Sequence, residues 1–235
     1  GSRYGQFGEI MPEDEFILLI KYADIFNLVL LEENFLNSTL EIYKKHPLKT
    51  EAEIKGLEGK GSKIEEIKQA LENDATGIYY ASKLVGCVKK AHDIDQNLSS
   101  HVMIENLIVK ASSTVALKHL IAQNKVDVSS IGYVIECSEE ACGDMNPRGG
   151  GNFAKSIAEM TGIINAGGCD VRAFCAAPTH SLIHASALVE AGIYDNVVVV
   201  GGGASAKPGM NGRDHVKKGY PILEDVLGGF AVLIS

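Results

Sequence analysis

Cys169-Asp170-Val171-Arg172-Ala173-Phe174-Cys175-Ala176-Ala177-Pro178-Thr179-His180 is the stretch on which the fold turns. Its first part reads as a strand near 171–173. Its second part has small residues and a proline, which suit the first turn of a helix. Ser181, Leu182, Ala185, Ser186, Leu188 and Val189 then continue as a buried helix over about 176–191. Upstream, a helix over roughly 105–123 leads to 126–130 and the apolar run Tyr133-Val134-Ile135. A glycine-rich loop at 143–151 and a helix at 152–160 follow. Downstream, 197–200 reads as a buried strand, 208–220 as a long loop and 230–234 as a last strand. Short apolar strands alternating with helices predict an α/β unit with a largely buried sheet.

The first hundred residues read differently. Pro12-Glu13-Asp14-Glu15 is a helix start, with acids at the positive end of the dipole, and Phe16, Leu19, Ile20 and Ala23 keep helical spacing. A second helix is expected over 33–45, ending before Pro47. Gly56, Gly59 and Gly61 mark a loop, Ser62 is placed to cap a helix over 63–72, and 76–90 is expected to be helical. The predicted organisation is a mostly helical region at 3–100 and an α/β region at 101–235.

Composition narrows the function classes. The 235 residues carry 22 Lys+Arg against 30 Asp+Glu, a net charge of −8, which disfavours a nucleic-acid binder. The longest apolar runs fall far short of the ~20 residues of a membrane span. Five cysteines without a Cys-x-x-Cys pair fit a reducing cytoplasm with free thiols and argue against a zinc site. Neither metal nor cofactor is expected. Gly1-Ser2 reads as the scar of a removed purification tag. Both ends are abrupt, and the expectation is an excised piece of a longer chain.

Three motifs resemble active sites and fail on context. Tyr79-x-x-x-Lys83 has the spacing by which a lysine lowers a tyrosine pKa, but lacks an upstream dinucleotide turn. Val197-Val198-Val199-Val200-Gly201-Gly202-Gly203-Ala204-Ser205-Ala206 runs into a loop with Pro208 instead of a helix, so its glycines are expected to let a strand end pass close to other backbone. Gly149-Gly150-Gly151 does not match a P-loop.

Cys175 is the residue that carries chemistry. A thiol at a helix N-terminus meets the positive dipole end and backbone amides, which favour thiolate and raise nucleophilicity. The same amides suit an oxyanion in acyl transfer. The other reading of the spacing is a buried, inert cysteine.

From about Lys110 to Ser235 the chain resembles the first half of the thiolase superfamily, ketoacyl synthase III above all. The likeness rests on the element order around Tyr133-Val134-Ile135, Ala173-Phe174-Cys175, the glycine turn after Val200 and Gly228-Gly229-Phe230-Ala231-Val232. Over nearly its whole length it is similar to the β subunits of component C of glycine, sarcosine and betaine reductase complexes, through 3–15, 97–105 and 137–175.

That resemblance implies a thiolase-like half, with helices on a mixed, mainly parallel sheet, whose second half lies outside this sequence. It implies Cys175 as the acyl-accepting thiolate. Cys137, Glu139, Cys142, Phe174 and Ala176 are the candidates for lining the substrate pocket. A selenoprotein carrier would deliver a carboxymethyl group, a companion α subunit would take part, and phosphate would release acetyl phosphate. A homo- or hetero-oligomer is expected. The competing functions are a ketoacyl synthase III-like condensing enzyme and a non-catalytic assembly module, for which the 12–90 region would be the docking surface.

Overall fold

The computed structural model describes residues 2–6, 8–138, 152–204, 217–219 and 227–235. It divides into two compact units. Of the described residues, one holds those up to 107 and 118–127; the other holds 108–117, 128–138 and those from 152 onward.

The first unit mixes helices with two small antiparallel sheets. Strands β1 (Tyr4–Gly5) and β2 (Gly8–Glu9) pair as a hairpin. Helix α1 (Glu13–Ala23) starts after Pro12 as the sequence predicts. It leads to β3 (Val29–Leu31), α2 (Glu33–Tyr43), α3 (Glu51–Leu57) and α4 (Ile64–Glu72). Strands β4 (Thr76–Tyr80) and β5 (Lys83–Val88) close a sheet of order β3-β5-β4. Its core includes Leu18, Val29, Leu31, Leu36, Leu57 and Ile67, all fully enclosed.

Several expectations are corrected here. The region before residue 100 is not mostly helical, because Thr76–Val88, within the stretch expected to be a helix, is a hairpin. Thr76, Ile78, Tyr79, Tyr80, Val85 and Val88 are β-branched or aromatic, and such side chains fit a pleated surface better than a helix. Ala81 and Ser82, with φ of 46° and 63°, turn the chain. A two-residue turn with both φ positive matches the twist of a hairpin, but it is usually signalled by Asn-Gly, which is missing here. Tyr79 therefore lies opposite Leu84, and Lys83 opposite Tyr80, so the helical Tyr-x-x-x-Lys relationship does not exist. Gly56 lies inside α3, where its bare Cα faces the Tyr22 ring. Ser62 does not cap α4; it bridges to Glu32, its amide donates to Leu31 O, and Lys63 is the N-cap.

A buried polar network ties the first residues to this unit. The Arg3 guanidinium donates to Glu9 Oε1 at 2.6 Å and to both Glu15 oxygens at 2.8 and 2.7 Å. His46 Nε2 and His119 Nε2 each lie 2.9 Å from Glu9 Oε2. The Leu48 amide donates to His46 Nδ1, which leaves Nε2 of that ring as the donor to Glu9. His119 belongs to the long helix α5 (Ser100–Asn124). The Glu9 side chain is 0% exposed. Burial pushes its carboxyl up, but hydrogen bonds from His119, His46 and Arg3 outweigh that and hold it below its usual value. Beside it, Tyr43 stacks on His46, and its hydroxyl donates to Glu53, which also accepts from Lys118 at 2.7 Å.

The second unit is α/β, as the sequence predicts. Its elements are β6 (Tyr133–Glu136), α6 (Phe153–Met160), β7 (Gly167–Asp170), α7 (Ala177–Glu190), β8 (Val197–Ala204) and β9 (Leu227–Ile234), with residues 108–117 of α5. The sheet order is β7-β6-β8-β9; β6 runs parallel to β7 and β8, and β9 antiparallel to β8. Val197, Val198, Val199 and Val200 are all fully buried, so both faces of β8 are covered. On one face Val197, Val199, Ile135 and Cys137 pack with Ala177 and Ala185 of α7.

Two boundaries move. The strand expected at 171–173 sits at Gly167–Asp170, a stretch whose glycines suggest a loop. A Cβ at Gly168 would lie 2.8 Å from Val134 O and 3.1 Å from the Ala154 Cβ, so only glycine lets β7 lie this close to β6 and α6. The glycines after Val200 are strand, not turn: Gly201, Gly202 and Gly203 pair with Phe230, Gly229 and Gly228. As the sequence suggested, they allow close backbone approach. A Cβ at Gly202 would overlap Ser112 Oγ and come within 2.7 Å of Ser113 Oγ and 2.9 Å of Ser113 N. Gly202→Ala is expected to cost about 2–3 kcal/mol through overpacking, readable as a lowered urea midpoint at unchanged slope.

Candidate functional site

The polypeptide leaves β7 at Asp170 and runs through residues 171–173. A single 3₁₀ turn, Phe174–Ala176, carries it into α7. Cys175 sits in that turn, exposed and bearing a thiol. Phe174 has φ of +49°, a left-handed conformation that is costly for a bulky side chain, and the residue is 81% exposed. Ala176 is also exposed. Helix α7 follows without a break: the Ala176 amide donates to Ala173 O at 3.1 Å, the Ala177 amide donates to Phe174 O, and Pro178 in its first turn has no N–H.

The helix is not buried all round as expected. Ala177, Ser181 and Ala185 face the core, whereas Ser186 is exposed and Ile183 is 59% exposed. His180 and His184 are exposed as well.

The pocket candidates separate. Phe174, Cys175 and Ala176 form the turn itself. Cys137 follows β6 and is a core residue, its thiol donating to Val200 O at 3.4 Å. Burial pushes this thiol up to about 11, the Glu136 carboxylate adds to the rise, and Ser181 and Arg172 oppose it only in part. Such a thiol is a poor nucleophile at neutral pH. Glu139 and Cys142 lie outside the described residues, as do Gly149-Gly150-Gly151.

Three residues beside the turn were not singled out from the sequence. Glu136, the last residue of β6, is fully enclosed; its Oε1 accepts from the Ser138 amide at 2.6 Å. Its Oε2 lies 2.7 Å from Arg172 Nη1 without hydrogen-bonding geometry, so that contact is an ion pair. Burial pushes the Glu136 carboxyl up, against the pull of Arg172 and Ser138. Asp170 accepts from the Phe153 and Ala154 amides at 2.8 Å each and so holds the start of α6. The signal was present in the sequence as charged residues at the ends of apolar runs, but not their pairing.

No group of three or more His, Cys, Asp or Glu among the described residues is arranged to hold a metal ion. None of the described helices is long and apolar enough to cross a membrane.

Fold and site together define an α/β unit that presents a solvent-facing thiol at a strand-to-helix junction. No family model matches the chain. It is 57% identical over all 235 residues to the glycine/sarcosine/betaine reductase complex component C subunit beta of Peptoclostridium acidaminophilum, and it spans 45% of that subunit's length. Similar solved structures include the priming β-ketosynthase of the R1128 polyketide biosynthetic pathway, at 28% identity over 39% of this chain and 26% of that one, with a TM-score of 0.34. Another is MvaS in complex with 3-hydroxy-3-methylglutaryl coenzyme A, at 23% identity over 53% and 27%, with a TM-score of 0.41.

Proposed function

We infer that this chain is the acyl-accepting part of a component C subunit, with Cys175 as the nucleophile. The exposed thiol in a strained turn at the head of α7 carries the reading, and the 57% identity to a component C subunit supplies the setting.

In this reading a selenoprotein carrier brings a carboxymethyl group as a selenoether. Cleaving the carbon–selenium bond takes two electrons, which a carrier thiol provides by forming a selenium–sulfur bond. The CH₂ becomes CH₃, the carboxyl loses one oxygen as water, and its carbon joins the Cys175 sulfur as an acetyl thioester. A phosphate oxygen then attacks that carbonyl, with the companion α subunit taking part. The carbon–sulfur bond breaks, acetyl phosphate leaves and the thiolate is restored. In this reading the Cys175 backbone N–H is one donor to the developing oxyanion, and Phe174 and Ala176 flank the acyl group.

The test is to quench the complete complex with acid after adding carrier bearing an isotopically labelled carboxymethyl group, in the absence of phosphate. The label is expected on the Cys175 peptide as acetyl. Label on any other cysteine, or none, rejects the assignment.

A further inference from the structure

We propose that Arg172 and Glu136 are a positioning pair that fixes where the Cys175 turn sits. The proposal rests on the acyl-transfer reading for its purpose, though not for its geometry.

After Asp170 the ladder contributes one more bond, from the Val171 amide to Glu136 O at 2.7 Å. Residues 172 and 173 are outside any regular element, and Phe174 is held in a left-handed conformation. A strained residue persists only where its surroundings over-determine it. Val171 and Ala173 pack against the core, and Arg172 between them reaches back to the ends of the strands. Its Nη1 lies 2.7 Å from Glu136 Oε2 and donates to Val171 O at 3.1 Å. Its Nη2 lies 4.0 Å from Asp170 Oδ2, and its guanidinium carbon lies 5.8 Å from the Phe153 ring centroid. One planar group thus touches the ends of β6 and β7 and the first residue of α6, three residues before Cys175.

Stability alone is a poor reason for such a pair. A fully enclosed carboxylate and its partly covered guanidinium partner lose hydration that their attraction need not recover, and apolar replacements of similar volume are often as stable or more so. What the pair adds is direction, because the planar guanidinium is held at several points at once, by the Glu136 charge, by Val171 O and by the Phe153 ring, whereas a single apolar contact slides.

The experiment uses the full-length subunit as wild type, as Arg172→Lys, and as the double replacement Glu136→Gln with Arg172→Met, in which the glutamine oxygen still accepts from the Ser138 amide. Each form is scored for its urea midpoint and for the rate at which limiting iodoacetamide alkylates Cys175. The rate is read on the Cys175 peptide against N-acetylcysteine as competitor. The double variant is expected to keep the wild-type midpoint while its Cys175 rate shifts at least fivefold, with Arg172→Lys in between. A wild-type rate at a wild-type midpoint overturns the proposal. Should the double variant lose its midpoint, Arg172→Lys decides by the same comparison, since lysine keeps the charge and loses the fork. Failure here leaves the acetyl label on Cys175 untouched. A missing label sinks the acyl-transfer reading and leaves the alkylation comparison standing.

Discussion

On the proposed acyl-transfer reading, replacing Cys175 with alanine is expected to abolish acetyl phosphate formation by the assembled complex, a loss of at least about a thousandfold. The size follows from the role. A covalent intermediate cannot form without its nucleophile, and what survives is the binding and oxyanion contribution alone. The fold should be untouched, because Cys175 is exposed in a turn and contributes little to the core. The urea midpoint is therefore the control: unchanged stability with lost turnover places the effect in chemistry. Cys175→Ser is expected to be nearly as poor, since a serine hydroxyl is far less ionised than a thiol. By contrast Cys137→Ala should lower stability and spare turnover, because that thiol is packed between β6, β8 and α7. If Cys175→Ala retained wild-type turnover, the nucleophile would lie elsewhere.

The second large effect is on stability and lies in the first unit. Glu9→Ala is expected to cost about 3–5 kcal/mol at pH 7, the range for breaking a buried charge network by removing one partner. It strips His46 and His119 of their shared acceptor and leaves Arg3 with Glu15 alone. The pH dependence gives the claim a sign. A carboxyl held below its usual value in the fold stabilises above its unfolded pKa, and that contribution is lost as pH falls through the depressed folded value. Wild type and variant should therefore differ fully at neutral pH and converge in strong acid, below the usual carboxylate range. Glu136, raised by burial, has the opposite sense: its ionisation costs stability as pH rises past the ordinary carboxylate value. Urea titrations of the Glu9 variant from pH 7 downward check the convergence, and a constant gap would exclude the assignment.

The second unit was legible where local pattern and environment agree. Tyr133–Ile135 and Val197–Val200 are apolar runs short enough for strands, and both are strands buried on two faces. The junction at Cys175 was legible because proline and small residues announce a helix start. The hairpin at Thr76–Val88 was missed because its turn uses Ala81 and Ser82, residues that do not advertise a left-handed backbone. The strand at Gly167–Asp170 was misplaced because glycine signals a loop when its neighbours in space are unknown. The polar network was invisible for a simpler reason: Glu9 meets partners 37 and 110 residues away. The same holds for Glu136 and Arg172, which only the parallel pairing of β6 with β7 brings together.

The two units differ in how far along the chain each must reach to close, and this sets an order of events during synthesis. The sheet of the first unit joins neighbours through a tight hairpin, so it can begin to form as soon as Val88 has emerged. Its polar network must wait for Lys118 and His119, which arrive only with the far end of α5. The parallel strands of the second unit wait longer still, because β6 gains its partner β8 only after β7 and α7 have been made. Loop closure of that kind is slow. Until then the serines of α5 have no glycine-lined strand to lie against, and the nascent chain holds the apolar run of β6, Tyr133 to Ile135, without its mate on that side.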